Sequence, residues 1–444
     1  MLLDGVGFDY EVAIAGAGPA GCATAAALVK ADPSLRGRIL VVERARFPRA
    51  KPCGGGLTGH CEEALAAVGL ALTVPSFASP RGIVRLGSVV RAVDLPRPVR
   101  VVRREEFDAS LAAQVRDLGV ELREGAPMKG FSVEDRGVTI ALGGSVSVRA
   151  RVLVGADGAG SLVRKHLVGH RAPAAEHVRQ DAALPTTGAD LVRQDRARAA
   201  TPIRLFRAEL PASAVAGAAS DAMLYDFTQL GEGLRGYVWI FPVPGDRVNV
   251  GLMHFPSREP GCQRTGKELA ALLGRALAAR GVTLDEGALR GWPAWGYHPR
   301  TPVSAPHLLT VGDAAGIDAL TGEGIAVALE QGAVAASQIL SALNGKGLDF
   351  IGYREALRRA TVGRELAVDR WLAWLLYGGG MGGWRRWMSL VLDDERLLEA
   401  YAARVSGTMI LSDNKRILVG ALWRHLWRAR RRRKALAAAL SFRT

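Results

Sequence analysis

The sequence predicts a mixed α/β fold with a helix-flanked parallel sheet, an inserted antiparallel sheet and a helical C-terminal region. Three observations support this prediction. One apolar run ends in the turn Gly16-Ala17-Gly18-Pro19-Ala20-Gly21, a second ends in Gly312-Asp313-Ala314-Ala315-Gly316, and alternating strand-like segments lie between them. An apolar run that ends in a Gly-rich turn is typical of a buried parallel strand that leads to a ligand site at its carboxyl end.

The first turn lies in a predicted strand–helix–strand unit. Tyr10–Ala15 is apolar, Ala20–Lys30 is Ala-rich and free of helix breakers, and Arg38–Glu43 reads as the second strand. In such a unit the first glycine allows the sharp turn, the second lets backbone amides approach a pyrophosphate, and the third lets the helix pack closely on the strand. The positive end of the helix then faces negative charge.

Gly16, Gly18, Pro19, Ala20 and Gly21 are therefore candidate cofactor contacts. Glu43 ends the next strand, where a carboxylate accepts hydrogen bonds from ribose hydroxyls, and Arg44 follows it. The sequence predicts a dinucleotide site at this point.

The remaining elements follow from periodicity and turn residues. Apolar residues at helical spacing predict a helix over Arg104–Leu118, and short strands follow before the Asp157-Gly158 turn. These strands are Val120–Leu122, Gly130–Glu134, Gly137–Leu142 and Arg151–Val154. The inserted sheet is predicted from Ala222–Asp226, Gly236–Phe241 and Arg247–Met253, and a last buried strand and helix from His307–Val311 and Gly324–Leu343.

We therefore predict three regions. Residues 1–75, 100–171 and 295–345 form a discontinuous Rossmann-like nucleotide-binding domain. Residues 76–99 and 172–294 form the sheet domain, and residues 346–444 form a helical region with a basic tail. Two Gly-rich turns at opposite ends of the chain suggest one long cofactor held from both sides, and FAD has that length.

The second turn supplies groups for the other half of FAD. Asp313 follows its strand and is a candidate acceptor for a ribityl hydroxyl. The helix after Gly322 and Gly324 directs its positive end at the pyrimidine edge, where the reduced flavin carries negative charge. Asp157 is a further candidate contact, with a plain Asp-Gly turn as its alternative.

Two other segments carry candidate chemistry. In Lys51-Pro52-Cys53-Gly54-Gly55-Gly56 the glycines permit close approach of a flat ligand. Cys53 is either a reactive thiol beside Lys51 or a small residue that fills a gap, and both interpretations stay open. Tyr237, Trp239 and Phe241 share one face of a strand, which indicates either an apolar pocket or an ordinary sheet core.

Composition and charge limit the class of protein. The chain has 444 residues, 49% of them apolar, and a net charge of +15. No run approaches the length of a membrane span, no signal peptide is visible, and the four cysteines lack metal-site spacing, so we expect a cytoplasmic protein.

The basic cluster Trp423–Lys434 reads either as a solvated tail or as a helix on the anionic inner face of the cell membrane. The tryptophans four residues apart suit the second interpretation. We expect no nucleic-acid partner.

Taken together, these motifs resemble the geranylgeranyl reductase family, flavoproteins with the p-hydroxybenzoate hydroxylase-like fold. The family's Arg-x-x-Phe-Asp element, whose arginine lies by the flavin, is matched by Arg104, Phe107 and Asp108. Its narrower Lys-x-Cys-Gly-Gly-Gly, Tyr-x-Trp-x-Phe-Pro and Leu-Thr-Gly-Glu-Gly-Ile segments are matched by Lys51–Gly56, Tyr237–Pro242 and Leu320–Ile325. Ala319 and the basic tail depart from the family pattern.

The resemblance implies that reduced FAD delivers hydride to double bonds of a polyprenyl lipid or quinone in an apolar tunnel. Cys53, Tyr237 and Trp239 are then the candidate catalytic residues. The flavin contacts are Gly16, Gly18, Pro19, Ala20, Gly21, Glu43, Arg44, Cys53, Gly54, Gly55, Arg104, Asp157, Gly312, Asp313, Gly322, Gly324 and Ile325.

Alternatives remain at this stage. A group A flavin monooxygenase that hydroxylates an aromatic or polyketide-like substrate has the same fold, and the narrower segments argue against it. A halogenase carries Trp-x-Trp-x-Ile-Pro, whereas this chain has Tyr237-Val238-Trp239-Ile240-Phe241-Pro242. A lipid carrier would lack flavin turnover. NAD(P)H and reduced ferredoxin both stay open as electron donors.

Overall fold

The computed structural model describes most of the chain. The described residues are 7–169, 202–218, 221–255, 264–284, 289–377, 387–388, 390–421, 423–424 and 427. Within the predicted sheet domain, residues 172–201 lie outside this set, and so do residues 428–444 of the basic tail.

The first sheet is mainly parallel, and the predicted strand–helix–strand unit lies at its centre. Its strands, in spatial order, are β15 (Ser304–Ala305), β16 (Leu308–Thr310), β9 (Ser147–Gly155), β1 (Tyr10–Ala15), β2 (Ile39–Glu43) and β6 (Glu121–Glu124). From β16 to β6 the pairing is parallel, and the antiparallel hairpin β7 (Met128–Glu134) and β8 (Gly137–Leu142) joins the sheet at β9. All six residues of β1 are buried, because helices or the hairpin cover both faces of the sheet.

Nine helices are bounded within the described part of the chain. They are α1 (Pro19–Ala31), α2 (Cys61–Val68), α3 (Arg104–Asp117), α4 (Leu162–Gly169), α5 (Gly266–Ala278), α6 (Ile325–Ser341), α7 (Tyr353–Arg359), α8 (Thr361–Tyr377) and α9 (Glu395–Val405). Small residues let α6 pack closely on α1, since a Cβ on Gly332 would lie 2.9 Å from the Cβ of Ala23. Residues Ile325–Lys346 are long and apolar enough to span a membrane, but most of this stretch is buried against the first sheet's helices, as expected of a core helix.

The second sheet faces the first across the glycine loops. Its strands, in spatial order, are β14 (Arg290–Ala294), β10 (Ile203–Pro211), β13 (Arg247–His254), β12 (Gly236–Val243), β11 (Ala222–Asp226), β4 (Ser76–Leu86), β5 (Val89–Val102) and β3 (Gly56–Leu57). All of these pairs are antiparallel except β4 with β11, which is parallel. A long connection through the first sheet separates β4 from β11, so no hairpin turn forces opposite directions on them.

Strand β12 is buried on both faces, and alternate residues enter different cores. Tyr237, Trp239 and Phe241 pack in one apolar cluster that also contains side chains of α8 and α9, whereas Val238 and Ile240 pack with α5. The alternation of a strand explains this division.

The predicted fold class is confirmed, including the nucleotide-binding sheet, the second sheet and the C-terminal helices. The domain boundaries stay predictions. Strand β5 runs to Val102, beyond the predicted boundary at residue 99, and Gly56–Leu57 extends the second sheet from within the predicted first region.

Candidate active site

The turn after β1 has the geometry that its glycines predict. Gly16 has a φ of +108°, and a Cβ there would lie 2.3 Å from the carbonyl oxygen of Ala156. A Cβ on Gly21 would lie 1.9 Å from the carbonyl oxygen of Gly16, so only glycine lets α1 approach the strand this closely. Pro19 is the first residue of α1, and no protein atom lies within 3.5 Å of a Cβ built on Gly18. The space at Gly18 is thus open to a ligand.

Glu43 closes the turn from the neighbouring strand. Its Oε2 accepts a hydrogen bond from the Ala17 amide at 3.2 Å, and its Oε1 accepts one from the Ala45 amide at 3.0 Å. Arg49, which sequence reasoning missed, has its Nε 3.4 Å from Glu43 Oε2 and its Nη1 3.2 Å from Asp108 Oδ2. The Arg49 Nε is buried and makes no hydrogen bond to the described residues. A buried cationic donor beside open amides fits the anionic, polar part of a dinucleotide.

Arg104 extends this chain of ion pairs toward Cys53. Its Nε and Nη2 contact the two carboxylate oxygens of Asp108 at 2.8 and 3.0 Å. Burial opposes its charge, but Asp108 and a hydrogen bond to the Cys53 thiol keep the pKa of Arg104 above its usual range. Gly55 also donates its amide to Cys53 Sγ at 3.4 Å. The sulfur therefore lies between two donors.

Lys51 instead contacts Asp313 and Trp292. Its Nζ is 3.0 Å from Asp313 Oδ2 and 4.6 Å from the centre of the Trp292 ring, and Arg44 stacks on the same ring. The ion pair joins the predicted ribityl-binding turn to the Cys53 loop across 262 residues of sequence. Arg44 is not among the side chains that line the cavity described below.

Side chains of α6 and α4 hold the turn after β16. Gln331, missed from the sequence, accepts from the Gly312 amide at 2.7 Å and donates to the Gly316 carbonyl at 3.0 Å. Arg164 donates to the Ala314 carbonyl at 2.8 Å. A Cβ on Gly312 would lie 2.8 Å from the Cβ of Ala20, so the two Gly-rich turns abut, as expected if they hold one ligand.

Asp157 lies near these turns and stabilises the start of α4. Its Oδ2 accepts from the Leu162 amide at 2.9 Å and caps the start of α4. Burial raises its pKa, although hydrogen bonds from Ser161 and Leu162 counteract this. The contacts within the chain match the alternative of a structural Asp-Gly turn.

A cavity of ≈ 80 Å³ opens between the Cys53 loop, the start of α6 and strand β12. We call it the glycine-loop cavity. It brings together all three residues predicted for catalysis and part of those predicted for the flavin, which are Cys53, Gly54, Gly55, Tyr237, Trp239, Gly322, Gly324 and Ile325. Phe241 lines it as well, so the aromatic face of β12 forms a pocket wall.

A hydrogen-bond bridge ties that wall to the Cys53 loop. Trp239 Nε1 donates to Asn249 Oδ1 at 2.9 Å, and Asn249 Nδ2 donates to the Cys53 carbonyl at 2.7 Å. Asn249 lies on the neighbouring strand β13, and no sequence motif marked it. Only the register of β12 against β13 places it there.

The loop Asp318–Gly324 is held from several sides. Asp318 accepts from the Leu320 amide at 2.6 Å and from the Thr321 amide at 2.8 Å. Tyr237 donates its hydroxyl to the Thr321 carbonyl at 2.6 Å, and Tyr377 donates to the Leu320 carbonyl at 3.2 Å. Strand β12 of the second sheet and helix α8 thus position the loop that precedes α6.

A second cavity, of ≈ 170 Å³, lies between the second sheet and the C-terminal helices. We call it the apolar cavity. Within the described part of the chain none of its lining side chains is charged, and most are Leu, Val, Trp, Met, Phe or Tyr. It shares four lining residues with the glycine-loop cavity: Tyr225, Thr321, Tyr401 and Val405. The two cavities therefore meet at these side chains.

The fold and the site together define a flavoprotein oxidoreductase. Residues 9–352 match the family described as FAD binding domain, and the chain belongs to this family. FAD is therefore its cofactor.

Relatives also confirm the predicted resemblance. Menaquinone reductase of Mycolicibacterium smegmatis is 28% identical over 388 residues, with 82% of this chain and 84% of that protein covered. Digeranylgeranylglycerophospholipid reductase of Methanosarcina mazei is 26% identical, with 81% and 83% covered.

Solved structures show the same fold. A geranylgeranyl bacteriochlorophyll reductase-like protein from Thermoplasma acidophilum superposes with a TM-score of 0.67 at 18% identity, covering 93% of this chain and 100% of that one. Flavin-dependent halogenases share the fold too. The fold thus defines the cofactor class and leaves the reaction to the details of the site.

Proposed function

We propose that the protein reduces carbon–carbon double bonds of a polyprenyl lipid or quinone. The observation that carries this proposal is the apolar cavity and its junction with the glycine-loop cavity. A long hydrocarbon substrate needs an apolar site for the chain that it leaves unreacted, because burial of each methylene stabilises binding by about 0.8 kcal/mol. A lining without charged side chains suits such a chain and disfavours a small polar aromatic acid.

The relatives support the same substrate class. Two of them carry names that specify reductases of a menaquinone and of a digeranylgeranyl phospholipid, and each is similar to this chain over more than four fifths of its length. Both names describe isoprenoid chains attached to a head group. The elongated path from the apolar cavity to the Gly-rich loops agrees with a substrate of that shape.

FAD, when bound, supplies a hydride from its reduced form. The residues of this chain then have three tasks. Tyr237, Trp239 and Phe241 form a dry wall opposite the Gly54–Gly56 backbone and orient a flat alkene. Asn249 fixes the distance between that wall and the Cys53 loop. The helices α8 and α9 cover the junction of the two cavities and exclude bulk water.

We also propose contact with an anionic membrane surface. Trp371 lines the apolar cavity and is 45% exposed, so the cavity reaches the surface there. Trp374, Trp423 and Trp427 are exposed on the same C-terminal region, and the last two belong to the basic cluster. Exposed tryptophans combined with arginines suit the headgroup region of an anionic leaflet. A cytoplasmic enzyme bound to the inner face of the membrane would receive its lipid at this opening.

The test is an anaerobic single turnover. The flavin is reduced with dithionite, which makes the choice between NAD(P)H and ferredoxin irrelevant, and a geranylgeranyl lipid or a menaquinone is added. We expect reoxidation of the flavin and a product two mass units heavier per reduced bond. If the flavin stays reduced until oxygen is admitted, and an aromatic substrate then gains one oxygen atom, the protein is a monooxygenase instead.

A further inference from the structure

We propose that Glu323 is the acid that donates the proton to the alkene carbon. This inference rests on the proposed function and names the proton donor of that same site. Reduction of an isolated double bond needs a proton as well as a hydride, and a dry cavity must contain the group that supplies it. Glu323 belongs to the segment Leu320–Ile325, in which sequence analysis gave roles to the glycines and none to the glutamate.

The carboxyl group is placed for this task. Glu323 lines the glycine-loop cavity together with Gly322, Gly324 and Tyr237. The Glu323 Oε1 lies close to Gly59, since a Cβ added to that glycine would be 2.5 Å from it. The Glu323 side chain is 11% exposed. Thr58 donates a hydrogen bond to it. The acid thus lies at the cavity wall, close to the start of α6.

The other candidate donors of the cavity are weaker acids. The Tyr237 hydroxyl already donates a hydrogen bond to the Thr321 carbonyl, and burial raises the pKa of Tyr237 well above the usual value. Burial also raises the pKa of Tyr225 and of Tyr401. Cys53 accepts hydrogen bonds from Gly55 and Arg104, so its sulfur is arranged as an acceptor. A carboxylic acid gives up its proton more readily than any of these phenols.

The charges around Glu323 favour its protonated form. Glu365 and Asp369 of α8 contact the buried Arg404 of α9, and Glu323 Oε2 is 3.7 Å from Arg404 Nη1. Three carboxyl groups therefore contact one guanidinium among the described residues, and the charge of Asp318 also acts on it. Such an excess of negative charge in a buried site favours protonation of part of these carboxyl groups.

The pKa of Glu323 reflects the opposing effects of these charges. Burial and Asp318 raise the pKa of Glu323, against Arg404, Thr58 and His60, which lower it. The remaining groups that face Glu323 are the Cys61 thiol, the Tyr225 hydroxyl, Glu330 and Asp369. Asp369 Oδ1 and Arg404 Nη1 are buried without a hydrogen-bond partner among the described residues. The cluster is therefore incompletely paired, as a site that exchanges protons requires.

Reduction of the double bond consumes one hydride and one proton. The π electrons of the double bond form a new C–H bond with the Glu323 proton, and the hydride that reduced FAD would supply completes the other carbon. The alkene thus gains two electrons from the cofactor, and the external donor returns two electrons to it. Glu323 is left as a carboxylate. Glu330, whose pKa burial and the charges of Glu323 and Glu365 raise to about 7, lies seven residues further along the chain and is partly exposed, so it can return a proton from solvent.

The test uses Glu323→Gln in the full-length holoenzyme. This variant keeps the shape of the side chain and removes its acidic proton. We expect the single-turnover rate of alkene reduction to fall about 10²- to 10⁴-fold. The FAD content, the melting temperature and the rate of flavin reoxidation by ferricyanide, which needs no proton on carbon, should match wild type. Glu62→Gln, an exposed glutamate on α2, is the matched control and should keep the full rate.

Two further measurements distinguish loss of the acid from misfolding of the variant. Glu323→Asp retains an acid and should recover at least about tenfold of the lost rate. Infrared difference spectra of the oxidised protein should show the carbonyl band of a protonated carboxyl group that Glu323→Gln lacks. A Glu323→Gln enzyme with the wild-type alkene rate overturns the proposal, as does the absence of that band in wild type. A wild-type protein that reduces no prenyl lipid overturns the proposed function instead.

Discussion

At the scale of single residues, the Gly-rich turns were predictable because their constraints are local. Gly16 needs a positive φ, and Gly21 needs a close contact with the Gly16 carbonyl five residues away. Arg49 and Asn249 were not predictable. Asn249 meets the Cys53 carbonyl 196 residues away in sequence, and only the pairing of distant strands in the second sheet creates that contact.

The first prediction concerns Gly21. A Gly21→Ala substitution places a methyl group 1.9 Å from the Gly16 carbonyl oxygen, so α1 must move away from β1. We expect a loss of at least about 2 kcal/mol in the free energy of unfolding and little retained FAD. Chemical denaturation and the flavin absorbance after desalting measure both effects.

Gly274→Ala is the control for that change. Gly274 lies in the middle of α5, and a Cβ there meets no atom within 4 Å. This variant should bind FAD fully and gain about 0.5–1 kcal/mol, because alanine is the better helix former. A Gly21→Ala protein with wild-type FAD content would show that the turn tolerates a shifted helix.

At the scale of elements, the sequence predicted most strands and helices but not how α8 and α9 meet. Periodicity marks a helix and its apolar face. It does not show that Glu365, Asp369 and Arg404 face one another, because their contacts join positions 35 and 39 residues apart on two helices. The buried charges on α8 would have been read as solvent-exposed from the sequence.

Helix α6 gives a prediction about pH. Burial and the nearby carboxylates raise the pKa of Glu330 from 4.5 to about 7, so the folded state holds its proton more tightly than the unfolded state does. Below pH 4.5 the group is protonated in both states and costs nothing. As the pH rises toward 8 the folded state must accept an unfavourable charge, which lowers the free energy of unfolding by up to about 3 kcal/mol.

Glu330→Gln should therefore match wild type near pH 4.5 and be more stable by up to about 3 kcal/mol at pH 8. Urea unfolding at the two pH values measures the difference. Glu399→Gln, on the exposed face of α9, should show no pH-dependent difference from wild type. An equal gain for Glu330→Gln at both pH values would contradict the explanation.

At the scale of the whole molecule, the C-terminal helices complete a site that the family match to residues 9–352 does not include. Tyr377, Tyr401 and Arg404 all lie beyond residue 352, and each contacts the Asp318–Gly324 loop. The sequence predicted a helical region there without a role in the site. Its role depends on tertiary contacts that no local pattern encodes.

The proposed membrane contact gives a prediction at this scale. The protein should cosediment with vesicles of phosphatidylcholine and phosphatidylglycerol, and less with phosphatidylcholine alone. Trp374→Ser/Trp423→Ser should weaken binding about tenfold, since two interfacial side chains are lost. Val133→Ser/Val146→Ser, which changes exposed apolar residues of the first sheet, should bind as wild type. Equal sedimentation of all three proteins would refute the contact.

The Cys53–Gly56 loop belongs to both halves of the molecule. Lys51 binds Asp313 of the nucleotide-binding half, whereas Asn249 and the pairing of Gly56–Leu57 with β5 bind the loop to the second sheet. A hinged opening of the second sheet would therefore have to break these contacts and deform the cofactor surface. If the substrate is the proposed lipid, we expect it to enter by sliding along the apolar cavity, so that turnover responds to the fluidity of the lipid more than to the viscosity of the solvent.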